Sequence, residues 1–288
     1  MRKLVILGLL ASLTSPVFAA PDTKAPLALT KTSKWEINYD EDSCHLMAKF
    51  GEGPQSAILR MTRYQPGDVF DLNIYGEPFK YAPSTMTVKV AYGTAPAEKR
   101  EAITGQAGNK LPLLILNGQR LDSWTSKPDV TPPPVTSAQE EQVKFIDLAI
   151  AGGKRFRLET GSLGKPMAAM RTCVTDLVKK WGYDPAQQAQ LRRPATPKKS
   201  PGSWLVNGDY PSGSLMNGHN GLVQFRLDLD QSGAVAGCFV LHRTNPDDFA
   251  DLTCKLLAKR AKFLPALDKD GKPVRSFFIS KARFVIPD

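Results

Sequence analysis

The sequence predicts an α+β chain in two parts: a β-rich N-terminal domain closed by one helix, and, after a flexible linker, a C-terminal domain of order β-β-α-β on an antiparallel sheet. Three observations carry this. Strand-length apolar segments recur from residue 34 and end on one amphipathic stripe before residue 186. Residues 186–202 then lose all apolar periodicity and hold Pro194, Pro197 and Pro201 among four basic side chains. From residue 203 the period of two returns, switches once to 3.6, and returns again.

Ahead of both domains, Arg2 and Lys3 precede an uncharged apolar run at residues 4–10. Val17 and Ala19 then stand at the −3 and −1 positions of a cleavage site, so residues 1–19 read as a signal peptide. A membrane anchor is the competing reading. It needs about 20 apolar residues, and Ser12, Thr14, Ser15 and Pro16 interrupt the run. The processed chain is therefore expected in the periplasm, with only peripheral membrane contact unless residues 1–19 are retained. Loss of Arg2 and Lys3 lowers the formal charge from +10 to +8. Half of that excess sits at Arg192, Arg193, Lys198 and Lys199, on the tether and not on a folded, aromatic-lined face. Nucleic acid is therefore not an expected partner.

The first domain, residues 34–185, opens on the alternating stretch 34–39 after a polar lead-in. Residues 57–61 and 69–75, separated by Gln65-Pro66-Gly67-Asp68, read as a hairpin. Residues 86–92, 113–116 and 143–148 continue the rhythm. Pro128 and Pro132-Pro133-Pro134 mark an exposed loop before the last of these. Met167, Met170, Val174, Leu177 and Trp181 then form one helical stripe, with Pro166 in the first turn and Gly182 at the C-cap. As a free coil the linker, residues 186–202, spans roughly 20–25 Å, and mild trypsin is expected to cut there first.

In the C-terminal domain, residues 203–288, residues 223–229 alternate. Asp230-Gln231-Ser232-Gly233 turns the chain and residues 234–241 return as a second strand. Asn245-Pro246-Asp247-Asp248 starts a helix carrying Phe249, Leu252 and Leu256 on one stripe. Asp268-Lys269-Asp270-Gly271 leads into a last strand, residues 274–285. This ordered set resembles the TonB C-terminal domain family: Tyr210-Pro211, Gly221, the Asp230–Gly233 turn, the helix end running into Phe263-Leu264-Pro265-Ala266, Gly271-Lys272-Pro273-Val274, and Arg283-Phe284. The resemblance covers under a third of the chain.

The family's proteins transmit energy from a proton-driven inner-membrane motor to outer-membrane transporters, and their C-terminal domain adds a short extended transporter segment to a sheet edge. The resemblance thus implies an outer-membrane transporter or another envelope protein as partner. It places the binding edge on the last strand, at Ser276, Phe277, Phe278, Ile279 and Ser280. Two features depart from the family pattern. A cleavable leader replaces the membrane helix, and a compact domain with a short linker replaces the long Pro-rich rod. Residues 34–185 resemble no family.

Cys44, Cys173, Cys238 and Cys254 permit three pairings. Keeping each pair within one domain selects Cys44–Cys173 and Cys238–Cys254, and the second pair is also found in a subset of the family. Chemistry is sparsely signalled. His45, His219 and His242 lie in no catalytic motif. Asp228-x-Asp230-x-Ser232-Gly233 imitates the start of an EF-hand loop but has Phe239 at the twelfth position. No enzyme, metal or cofactor is expected. An envelope scaffold or sensor, and an enzyme hidden in residues 34–185, are the competing functions.

Overall fold

The computed structural model describes residues 25–81, 85–124, 132–150, 152–244 and 248–286. The expected leader, Pro128 and the expected helix start at Asn245-Pro246-Asp247 lie outside the described residues.

The first part of the chain forms ten strands: β1 Leu27–Thr30, β2 Glu36–Tyr39, β3 Cys44–Phe50, β4 Ala57–Arg63, β5 Phe70–Tyr75, β6 Thr85–Tyr92, β7 Glu98–Ala107, β8 Leu111–Gln119, β9 Ile146–Ile150 and β10 Lys154–Glu159. They make one sheet in the order β1-β10-β9-β6-β7-β8-β5-β4-β3-β2, antiparallel except where β1 meets β10. Alternation aims Leu59 and Met61, Leu72 and Ile74, Val88 and Val90, and Leu114 and Leu116 into a single core. The sheet curls until its ends meet. Lys31 bridges to Phe50, the Thr32 N–H donates to the Lys49 carbonyl (2.8 Å) and the Gly51 N–H to the Thr30 carbonyl (2.9 Å). β3 therefore pairs with β2 along its first half and with the chain after β1 along its second, which removes most of the exposed sheet edge.

Helix α1, Ser137–Gln142, is set by a capping box between Thr136 and Gln139. Helix α2, Gly164–Lys180, buries Met167, Met170, Val174 and Leu177 against this core, with Trp181 partly buried at its end. Gly182 follows at φ +81°, where its N–H closes the helix on the Lys179 carbonyl. The Cys44–Cys173 disulfide ties β3 to α2.

Residues 186–202 are not a flexible linker. Helix α3, Pro185–Ala189, is capped by Asp184, and β11, Thr196–Pro197, pairs with β14, Phe263–Leu264. Arg193 exchanges both backbone bonds with Leu267, the Lys198 N–H donates to the Lys262 carbonyl, and Ala195 is buried in a second core. The prolines rule out a long helix or central strand here, but each paired piece is only two residues long. Pairs that short carry no periodicity for a sequence reading to find.

The second core lies under a three-stranded antiparallel sheet, β13-β12-β17. Its parts are helix α4, Ser212–Met216, strands β12, Gly221–Leu229, and β13, Val235–Arg243, helix α5, Asp248–Arg260, and the final strand β17, Ser276–Phe284. A small antiparallel pair, β15 Ala266–Leu267 with β16 Pro273–Val274, precedes that strand. The strand, strand, helix, strand order is therefore present. The Cys238–Cys254 disulfide joins β13 to α5.

Because 186–202 is paired along much of its length, trypsin should not reach Arg192, Lys198 or Lys199 until the segment peels away. Cleavage there should be slow and should follow the denaturant dependence of unfolding. Rapid release of two stable fragments under native conditions would show the segment to be a coil after all.

Candidate partner-binding edge

The β12–β17 ladder runs without interruption from Gly221↔Phe284 to Leu229↔Ser276. It starts at a glycine because a Cβ at Gly221 would collide with the Phe249 ring. On one face of β17, Phe284 stacks on Phe249 at 4.4 Å, while Phe278 meets Phe263 at 5.1 Å and Trp204 at 5.8 Å. Tyr210 completes this core edge-on to Phe249 and Phe284, its hydroxyl donating to the His219 carbonyl. Pro211 precedes α4, and the Pro265 carbonyl accepts from Arg193 Nη2 at 3.0 Å. Gly271 takes φ +82 in the turn closed on Asp268. Gly233 takes φ +81 in the Asp230 turn, where a Cβ would lie 2.5 Å from the Phe263 carbonyl oxygen. The Asp230 carboxylate is used within that turn, accepting from the Ser232 and Ala234 N–H groups.

The opposite face of the sheet meets the first domain. Phe277 packs edge-on to Trp181 at 5.3 Å and to Tyr183 at 5.2 Å. Arg226 is sandwiched between Trp181 and Phe239, 4.3 Å from each ring, with Nε on Asp228 at 2.8 Å. Lys281 Nζ donates to Asp71 Oδ2 at 2.6 Å and Asn117 Oδ1 at 2.9 Å, and Arg283 reaches Glu101 at 3.0 Å. The Tyr183 hydroxyl donates to the Ser276 carbonyl at 2.9 Å, and Gln188 Nε2 to the Arg275 carbonyl at 3.0 Å. From sequence, Ser276 and Phe277 are expected at the partner edge, Arg283 in the family motif and Trp181 in the core; none of these residues is expected at a seam between the domains.

Backbone direction along β17 follows from its neighbour. The Thr244 N–H donates to the Leu222 carbonyl and the Leu222 N–H to Thr244 Oγ1, so Leu222 and every second residue of β12 point to β13. Val223, Phe225, Leu227 and Leu229 then point to β17 and take up the backbone groups of Ala282, Ser280, Phe278 and Ser276. Phe277, Ile279, Lys281 and Arg283 direct theirs away from the sheet. Among the described residues no strand lies on that side. The other edge, β13, differs: its register slips twice against β12, between Gln224 and Phe225 and between Asp228 and Leu229. Bulges of this kind disrupt a ladder and blunt an edge.

Residues 206–286 match the family model of the Gram-negative bacterial TonB protein C-terminal. The chain carries a TonB C-terminal domain. The matched span contains Tyr210, Pro211, Pro265 and Gly271 and the whole of β12, β13, α5 and β17. The family domain is a non-enzymatic interaction module, which points to a TonB-like envelope protein that interacts with other proteins. No curated protein and no solved structure matches the chain. Among the described residues no helix is long and apolar enough to cross a membrane.

His45, at the seam, is buried between Thr62 Oγ1 (2.9 Å from Nδ1) and Ser43 Oγ (3.1 Å from Nε2). Burial, reinforced by Arg60, pushes its pKa below the ordinary 6.5, against the opposing pull of Asp40. The unfolded chain therefore binds this proton at a higher pH than the folded chain does. Stability should fall as pH drops below about 6.5, and level off below the folded-state value. Thermal melts between neutral pH and about 5 should show this loss, and His45→Asn should reduce the slope. Identical slopes in both proteins would assign the loss elsewhere.

Proposed function

We propose that this is a periplasmic TonB-like binding protein that recognises an extended segment of an outer-membrane transporter, or of another envelope protein, by adding it as a strand to the open side of β17. One observation carries the reading: among the described residues β17 presents a regular, unpaired edge in a segment matching the TonB C-terminal family, while β13 at the opposite edge is bulged. Free N–H and C=O groups on such an edge are a template for another chain. Of the five residues expected to form the site, Phe277 and Ile279 offer backbone groups to a partner, and Ser276, Phe278 and Ser280 hold the strand on β12. Export through residues 1–19 would bring the chain to this partner.

The second reading is an envelope scaffold or sensor without motor coupling. It draws on the folded first domain, which stands where TonB proteins carry a long rod. Both readings share the edge, so the edge is what must be tested.

Proline at Ile279 removes one outward donor and leaves the β12 ladder intact, whereas proline at Phe278 removes a donor that β12 needs. Ile279→Pro should weaken binding of synthetic peptides from transporter plug segments by about tenfold, or about 1.4 kcal/mol, with the fold retained by circular dichroism. Ser280→Ala should change affinity less than about threefold, because main-chain bonds dominate this mode of recognition. Phe278→Pro should unfold the sheet. Unchanged peptide affinity in a folded Ile279→Pro variant would remove the edge from the mechanism.

A further inference from the structure

A cleft of about 370 Å³ lies beside β17 at the seam between the domains, within the range of about 300–1,000 Å³ usual for ligand clefts. One wall is Ile279 and Lys281. The other is the β4–β5 hairpin, with Thr62, Tyr64, Val69 and Asp71. The hairpin is held in place by its own ladder, which pairs Thr62 with Asp71 at the mouth of the turn, and by the Lys281–Asp71 bond across the cleft.

We propose that the N-terminal domain supplies the second wall of the peptide groove, so that a partner strand added at Ile279 and Lys281 passes beneath the β4–β5 hairpin and must present uncharged, partly apolar side chains there. This rests on the edge-strand reading above and adds a specificity element to it. Three observations support it. Ile279 and Lys281, whose backbone groups face away from β12, line the cleft themselves. The formal charges in the cleft cancel, because Lys281 Nζ sits 2.6 Å from Asp71 Oδ2 and also donates to Asn117. A charged side chain entering there would lose water without gaining an opposite partner. Val69 is 47% exposed at the hairpin tip, an apolar side chain left uncovered beside a groove.

The resulting specificity is unlike that of a bare edge. A strand pairing only through main-chain bonds accepts nearly any side chain, whereas a walled groove selects at the one or two positions that face the wall. Val69→Asp and Val69→Lys alter the wall at an exposed position, so both variants should fold. In the full chain, each should weaken plug-segment peptides about tenfold, comparable to Ile279→Pro. The wild type should bind a peptide carrying Asp or Lys at the hairpin-facing position about tenfold more weakly than its apolar parent. If Ile279→Pro weakens binding but both Val69 variants and the charged peptides bind normally, the second wall is overturned and the edge stands. A loss with only one sign of charge would overturn the requirement for an uncharged segment. Folded variants that all bind like the wild type overturn the edge reading, and the wall with it. Losses at Val69 without any loss at Ile279→Pro would place the peptide in the cleft unpaired, which overturns strand addition.

Discussion

A three-stranded sheet backed by one helix can bury only one of its two faces, and the TonB-like sheet here resolves that constraint against its own N-terminal domain. Helix α5 and the aromatic cluster around Phe249 and Phe263 cover one side. On the other, Trp181 and Tyr183 receive Phe277, and Trp181 also stacks on Arg226. Arg226 carries a cost as well as a gain. Its guanidinium is held by two rings and Asp228, yet Nη1 makes no hydrogen bond and has only a long ion pair with Asp42 at 3.9 Å, a weaker arrangement than a fully bonded guanidinium would have. That arrangement persists because the aromatic and ionic contacts along the seam offset it. Relative placement of the domains is thus part of the fold of the sheet, and residues 186–202 lie down along it where they would otherwise hang free.

Legibility from sequence followed the chemistry of each face. The β4–β5 hairpin, β6, β8 and α2 have clean apolar periods because one side of each meets a continuous core. β7 was missed: only Ala102 in Glu98–Ala107 is buried, so it has almost no apolar stripe to read. β10 offers only Phe156 and Leu158 between charged residues. β3 failed for the opposite reason, since it is buried on both sides where α2 covers it and alternation disappears. On β12, Gln224, Arg226 and Asp228 alternate as a solvent-facing row would, yet Gln224 and Arg226 are buried at the seam. Polar alternation identifies a face but does not say what covers it. The capping box at Thr136 and Gln139 was a readable signal for α1 that periodicity alone passed over.

The two edges of the C-terminal sheet are treated unequally, and the difference bears on function. β13 is bulged twice and fastened to α5 by a disulfide, which fixes it as a boundary of the domain. β17 is straight in register, held by its continuous ladder to β12 and by side chains on both faces, so its outward backbone is kept rigid without being consumed. An edge that is preorganised in this way costs a partner less ordering entropy than one that must form on binding. The first domain therefore serves the edge twice, once by supporting it and once by standing beside it.

The order of the cysteines has a consequence for how the protein is made. Its bridges join the first cysteine to the second and the third to the fourth, although the first loop spans 129 residues and the second only 16. A chain delivered N-terminus first into an oxidising compartment presents Cys44 alone until nearly all of the first domain has followed, and Cys173 is the next thiol to arrive. For a chain exported as proposed, pairing each cysteine with the next to emerge would give the observed set, and maturation would need an oxidant but no reshuffling of wrong bridges. A fifth cysteine placed between residues 44 and 173 would break that simple order and make correct assembly depend on an isomerase.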